Sequence, residues 1–138
     1  MPTQFTRAPA AIAFERGYPG TADQPHKVRT DLAQIAGPYP MADELVLVAS
    51  ELAANAVSHS RSGHPGGIFT VRATLYPGDY AWVEVIDQGG SWAARMDDEE
   101  HGRGLATVVA AIAGDGNWGI EGDTAARVAW FRLDWPQP

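Results

Sequence analysis

Apolar positions along the chain follow two rhythms, and each change of rhythm marks an element. From Asp23 the run "DQPHKVRTDLAQIAG" places Val28, Leu32 and Ile35 at helical spacing, with Asp23 as N-cap and Gly37 as stop. The run "MADELVLVASELAANAVSHS" repeats the pattern with Leu45, Val48, Leu52 and Ala56, has no internal proline, and predicts a long second helix. Alternation then takes over: "IFTVRATLY" and "YAWVEVID" flank "PGD" and read as an antiparallel hairpin. Ile12 to Phe14 form the centre of a first strand ahead of the turn "GYPGT". "LATVVAAIAG" suits a buried helix from near Gly104 to Gly114, and "NWGIEG" with "ARVAWFRLDW" suits a closing pair of strands. "RSGHPGG" and "QGGSWAARMDDEEHGRG" read as loops. The order strand, helix, helix, strand, strand, helix, strand, strand departs from the alternation of a doubly wound parallel sheet. It predicts an α+β fold whose mixed or antiparallel sheet carries its helices on one face.

Length and composition narrow the classes. A chain of 138 residues with 45% hydrophobic content suits one domain over residues 1–138. The formal charge of −7 opposes the phosphate attraction that drives nucleic-acid binding, so no direct nucleic-acid partner is expected. Without cysteine there is neither disulfide nor thiolate metal site. The first residues, "MPTQFTRAPAAIAFERG", lack the apolar core of a signal peptide, and no run approaches the roughly 18 to 20 apolar residues that cross a bilayer. A cytoplasmic location without membrane contact is the expectation.

The chemistry is carried by pieces far apart in sequence. Glu51, Asn55 and His59 recur every fourth residue in "ELAANAVSHS". At ~40° of rotation per step of four they share one stripe, which must face something polar. An Asn amid apolar neighbours is costly to bury without partners, roughly 1 to 3 kcal/mol, and a ligand or metal would satisfy it. "VIDQGG" ends a strand with Asp87, a candidate acceptor for an amine, and with Gly89 and Gly90, which let the backbone approach a flat ring. "HGRGL" places glycines at a helix start, where exposed N–H groups and the helix dipole favour phosphate. No transition-metal site is assigned to His59, His64 or His101, three of the four histidines.

In this order the pieces resemble the GHKL ATP-binding superfamily: "ELAANAVSHS" its N-box, "DQGG" its first glycine box, "GRGL" its second. "ELVLVASELAANAVSHS" and "AIAGDGNWGI" are similar to the small bacterial anti-sigma regulatory kinases, and the likeness runs from about Tyr18 to Trp135. The resemblance implies a Bergerat-type two-layer α/β sandwich, its mixed, mostly antiparallel sheet covered by helices on one face, with ATP and Mg²⁺ as cofactors. It implies that Asn55 holds Mg²⁺, that Glu51 is the general base, and that Asp87 accepts from the adenine amine. Gly89 would shape the adenine pocket, Gly102, Gly104 and Leu105 would form the lid over the phosphates, and Arg103 would stabilise charge on the transferred phosphate. The third element of this branch survives only loosely as "GDTAARVAW", with Thr124 as its phosphate ligand. The run Asp97–Glu100 would repel a triphosphate if it folded inward, and would suit a basic partner.

The function so implied is a serine/threonine protein kinase that phosphorylates a STAS-type anti-anti-sigma protein and regulates a sigma factor. Related kinases are often dimers, so a second copy joins the expected partners. The alternative is an ATP-responsive binding module without phosphotransfer, in which nucleotide alters a partner surface.

Overall fold

The computed structural model describes residues 10–90, 102–114 and 116–136, with the backbone alone for 102–107. The elements follow as β1 (Ile12–Pro19), α1 (Gln24–Ala36), α2 (Ala42–His59), β2 (Ile68–Tyr76), β3 (Tyr80–Asp87), α3 (Gly102–Ala113), β4 (Trp118–Gly122) and β5 (Arg127–Asp134). A short 3-10 turn, Arg61–Gly63, follows α2. This is the order expected from the periodicity.

The strands lie side by side as β1-β2-β3-β5-β4, and every pairing is antiparallel. Because β5 lies between β3 and β4 and opposes both, β3 and β4 run parallel. Their connection must cross from one end of the sheet to the other, and α3 lies within it. Alternation assigns the faces. Phe69, Val71, Ala73 and Leu75 of β2, Ala81, Val83 and Val85 of β3, and Ala129, Phe131 and Leu133 of β5 are buried together with Leu45, Val48, Leu52 and Ala56 of α2. The predicted stripe of α2 is thus the one that meets the sheet. Val28 and Leu32 of α1 and Val109 and Ala113 of α3 complete the core, and Ile35 packs half-buried against it.

The opposite face of the sheet is polar and aromatic. Trp82 and Trp130 stack there at 4.7 Å between ring centroids, and Arg72 bridges Glu15 and Glu84. Gly119 lies beneath Trp130: a Cβ at that position would stand 2.9 Å from the indole Nε1.

Two local outcomes differ from the sequence reading. Strand β1 continues through Gly17, Tyr18 and Pro19, where a turn was expected, and pairs with Ile68–Thr70. Tyr18 explains the extension, because its ring stacks on Phe69 and its hydroxyl donates to Asp31 of α1 at 2.8 Å. Burial, reinforced by Asp31, raises the phenol above its ordinary range. Pro19 is tolerated because β1 is an edge strand. Asp23 occupies the N-cap of α1 but makes no side-chain bond to the helix; its carboxylate accepts from Thr21 and Gln24 instead. Among the described residues, no helix is long and apolar enough to cross a membrane.

Candidate functional site

The site is built where β3 ends. Asp87 belongs to the inward row of β3, and its side chain is only 3% exposed. Directly opposite on β5 stands Arg127, also 3% exposed, with Nε 3.7 Å from the Asp87 Oδ1. That separation is an ion pair without a hydrogen bond between these two atoms. Oδ1 instead accepts the Gly89 N–H at 2.7 Å, so the carboxylate folds its own turn. Burial lowers the Arg127 pKa, Asp87 opposes the shift, and Arg61 adds to it. The guanidinium nonetheless stays charged, since arginine keeps its proton in proteins.

Both glycines after Asp87 are required by conformation. Gly89 has φ +77° and Gly90 has φ +112°, and a Cβ on Gly89 would lie 2.2 Å from the Thr124 carbonyl oxygen. That same oxygen accepts the Gly90 N–H at 2.8 Å. Thr124, assigned from the sequence as a phosphate ligand, therefore holds the glycine turn through its main chain, and its side chain lies at an exposed position.

On the other side the turn is fastened to the end of α2. The Arg61 N–H donates to Gly89 C=O at 2.9 Å, and the Gln88 N–H donates to Ser62 Oγ at 3.0 Å. Ser60 links these to the helix, donating to Ala56 C=O at 2.6 Å and accepting the Ser62 N–H at 3.0 Å. Asn55 and Glu51 lie on this helix, ~6 Å and ~12 Å along its axis from His59, and all three are half-buried, as a stripe flanking the core row would be. The helix that carries the predicted metal ligand and base is thereby joined to the turn that carries the predicted adenine acceptor. Beside the junction, a groove of about 400 Å³ is lined by Arg61, His64, Pro65, Gly66, Gly67, Gln88 and Ala125.

The remaining predicted residues lie at the start of α3. Gly102 and Gly104 fall in its first turn, two residues earlier than the expected start at Gly104. The side chains of Arg103 and Leu105, the run Asp97–Glu100 and His101 lie outside the described residues. Among the described residues, no group of three or more His, Cys, Asp or Glu side chains could hold a metal ion, so a cation here would depend on Asn55 together with ligand oxygens. A buried carboxylate beside a glycine turn, with an amide-bearing helix fastened to it, has the donor and acceptor types that a purine nucleotide requires.

Sequence reading missed Arg127, Ser60 and Ser62. The signal for Arg127 was present in "RVAWFRL", where it falls in phase with Ala129 and Phe131 on the buried face.

Comparisons with known proteins bear on the family and the fold. The family described as "histidine kinase-like ATPase domain" matches residues 14–120. A crystal structure of the RsbU and RsbW domains of Rv1364c from Mycobacterium tuberculosis has the same fold, with a TM-score of 0.66 and 19% identity over 96% of this chain. This chain covers 34% of that one, so the likeness concerns about a third of the larger protein. No curated protein matches the sequence. The chain belongs to the histidine kinase-like ATPase domain family.

Proposed function

We propose that this ATPase-family chain is an anti-sigma type serine/threonine protein kinase that uses Mg²⁺ and ATP to phosphorylate a STAS-type anti-anti-sigma protein. Its further partners would be a sigma factor and a second copy of the chain. The observation that supports the reading is the fastening of α2 to the glycine turn through Arg61–Gly89 and Gln88–Ser62, because it joins the helix of Glu51 and Asn55 to the turn that follows Asp87. The RsbW domain in the structural neighbour supports the anti-sigma assignment.

In this reading Asp87, aimed by the Gly89 N–H, accepts from the adenine amine, and the glycine backbone lets the ring lie close. Asn55 offers an amide oxygen to a hard cation that keeps most of its waters. Glu51, one turn earlier on the same stripe, takes the proton of the attacking serine hydroxyl. Gly102, Gly104 and Leu105 would close over the phosphates, and Arg103 would face their charge. Bound Mg-ATP supplies the transferable phosphoryl group.

The test is incubation with γ-labelled ATP, Mg²⁺ and a STAS-type substrate. The expected result is phosphoserine on the substrate, reduced at least 100-fold by Glu51→Ala with ATP affinity retained. Nucleotide binding without transfer by the wild type would instead establish the ATP-responsive module.

A further inference from the structure

The stripe that carries the proposed chemistry does not end at Glu51. Two turns earlier on α2 stands Glu44, ~10 Å toward the start of the helix and only ~20° away in rotation. Exposure grows along the same line: Asn55 and Glu51 are half-buried, Leu47 is 42% exposed, and Glu44 is exposed. Glu44 also borders a cavity of about 250 Å³, together with Met41, Ile112 of α3, and Leu133 and Asp134 of β5. Leu133 lies ~20 Å along β5 from Arg127, so this cavity is remote from the glycine turn. Met41, Ile112 and Leu133 make its walls apolar, and among the described residues that line it none is basic. Asp134 is already engaged, accepting from Arg132 Nε at 2.9 Å, which leaves Glu44 to meet a cation. A lysine or arginine side chain matches both features, with an aliphatic stem for the walls and a charged head for the carboxylate. Acids near the start of α2 also offset the helix dipole, but Asp43 does so without lining the cavity.

Resting on the kinase reading above, we propose that Glu44 and this cavity dock a basic side chain of the protein substrate, about three residues of extended chain from the phosphoacceptor serine. The order of groups along α2 sets the direction. From its C-terminal end come the fastened glycine turn, then Asn55 for the cation, then Glu51 for the serine hydroxyl. Nucleotide therefore takes the C-terminal part of the helix, and the substrate chain lies against the part before Glu51. An extended segment advances ~3.3 Å per residue, so the ~10 Å from Glu51 to Glu44 is spanned by about three residues. Leu47 lies between the two, ~6 Å from Glu51 along the axis, and offers an apolar contact to the intervening residues.

The test is steady-state phosphorylation of the STAS-type substrate by the full chain with γ-labelled ATP and Mg²⁺. Glu44→Lys is expected to raise the KM for the protein substrate about ten-fold or more, because like charges then face each other, with kcat and the KM for ATP unchanged. Asp43→Lys makes the same charge change at the same helix end and should leave the substrate KM as it is. On the substrate, reversing each Lys or Arg near the serine to Glu should uncover one position whose loss of phosphorylation is restored by Glu44→Lys. An unchanged substrate KM in Glu44→Lys, an equal rise in Asp43→Lys, or the absence of a rescued position would overturn the docking while leaving the kinase reading intact. No transfer by the wild type would overturn both. Should Glu44→Lys not fold, Glu44→Gln takes its place: its substrate KM should rise while kcat holds, and an unchanged KM there is equally decisive against the docking.

Discussion

Removing either charge of the Asp87–Arg127 pair leaves the other buried without its main counter-charge, since both side chains are 3% exposed. Breaking such a pair costs about 3–5 kcal/mol, whereas replacing both members with apolar groups is often neutral. Asp87→Val and Arg127→Val should therefore each destabilise the chain by about that amount. The double variant should recover to within about 1–2 kcal/mol of wild type, the remainder reflecting the lost acceptor for the Gly89 N–H. Urea denaturation checks this, and additive losses would show that the two residues are not energetically coupled. A site variant at Asp87 must accordingly be tested for folding before lost binding is assigned to chemistry. Of this pair the sequence disclosed only Asp87, through its place before two glycines. Arg127 lies 40 positions later in the chain, and no local pattern names the partner that register supplies. Its phase with Ala129 and Phe131 said that it was buried, not what it was buried against.

Periodicity located the helices and strands because burial on one face is written into every second or every third to fourth residue, as in Phe69, Val71, Ala73 and Leu75. What periodicity cannot show is an element held by main-chain atoms. The β4–β5 connection is such a case. Asp123 accepts the N–H groups of Ala125 and Ala126 at 2.8 and 3.1 Å, and this turn presents the Thr124 oxygen to Gly90. These backbone bonds hold the Asp123 pKa below its ordinary 3.8. A depressed folded-state value means that the stabilising effect is fully present above the unfolded pKa and is lost as pH falls through the folded one. Acidification below 3.8 should thus loosen the turn and release the Gly90 amide, with no effect from this group between pH 5 and 8. Amide exchange at Gly90, followed against pH, should accelerate at the Asp123 titration in the wild type. In Asp123→Asn the acceleration should vanish; if it persists there, another carboxylate is responsible.

At the scale of the molecule, the candidate site draws on both layers: α2 from the helical layer, and the ends of β3 and β5 from the sheet. Unfolding separates these contributions, so nucleotide can bind only the assembled state and must raise the melting midpoint. A chain of 138 residues unfolds with an entropy of roughly 290 cal/mol/K near 60 °C. Nucleotide at one hundred times its Kd stabilises by about 2.7 kcal/mol, which corresponds to a midpoint shift of about 9 °C. The two layers can be separated by what each contributes. Asn55→Ala removes the amide on α2 and should abolish the extra shift that Mg²⁺ adds, while leaving the smaller shift given by nucleotide in chelator. The Asp87→Val, Arg127→Val pair removes the proposed adenine acceptor and should abolish both shifts, even though the protein remains folded. A scan in which Asn55→Ala keeps its full magnesium dependence would place the cation elsewhere, and would separate α2 from the phosphate end of the site.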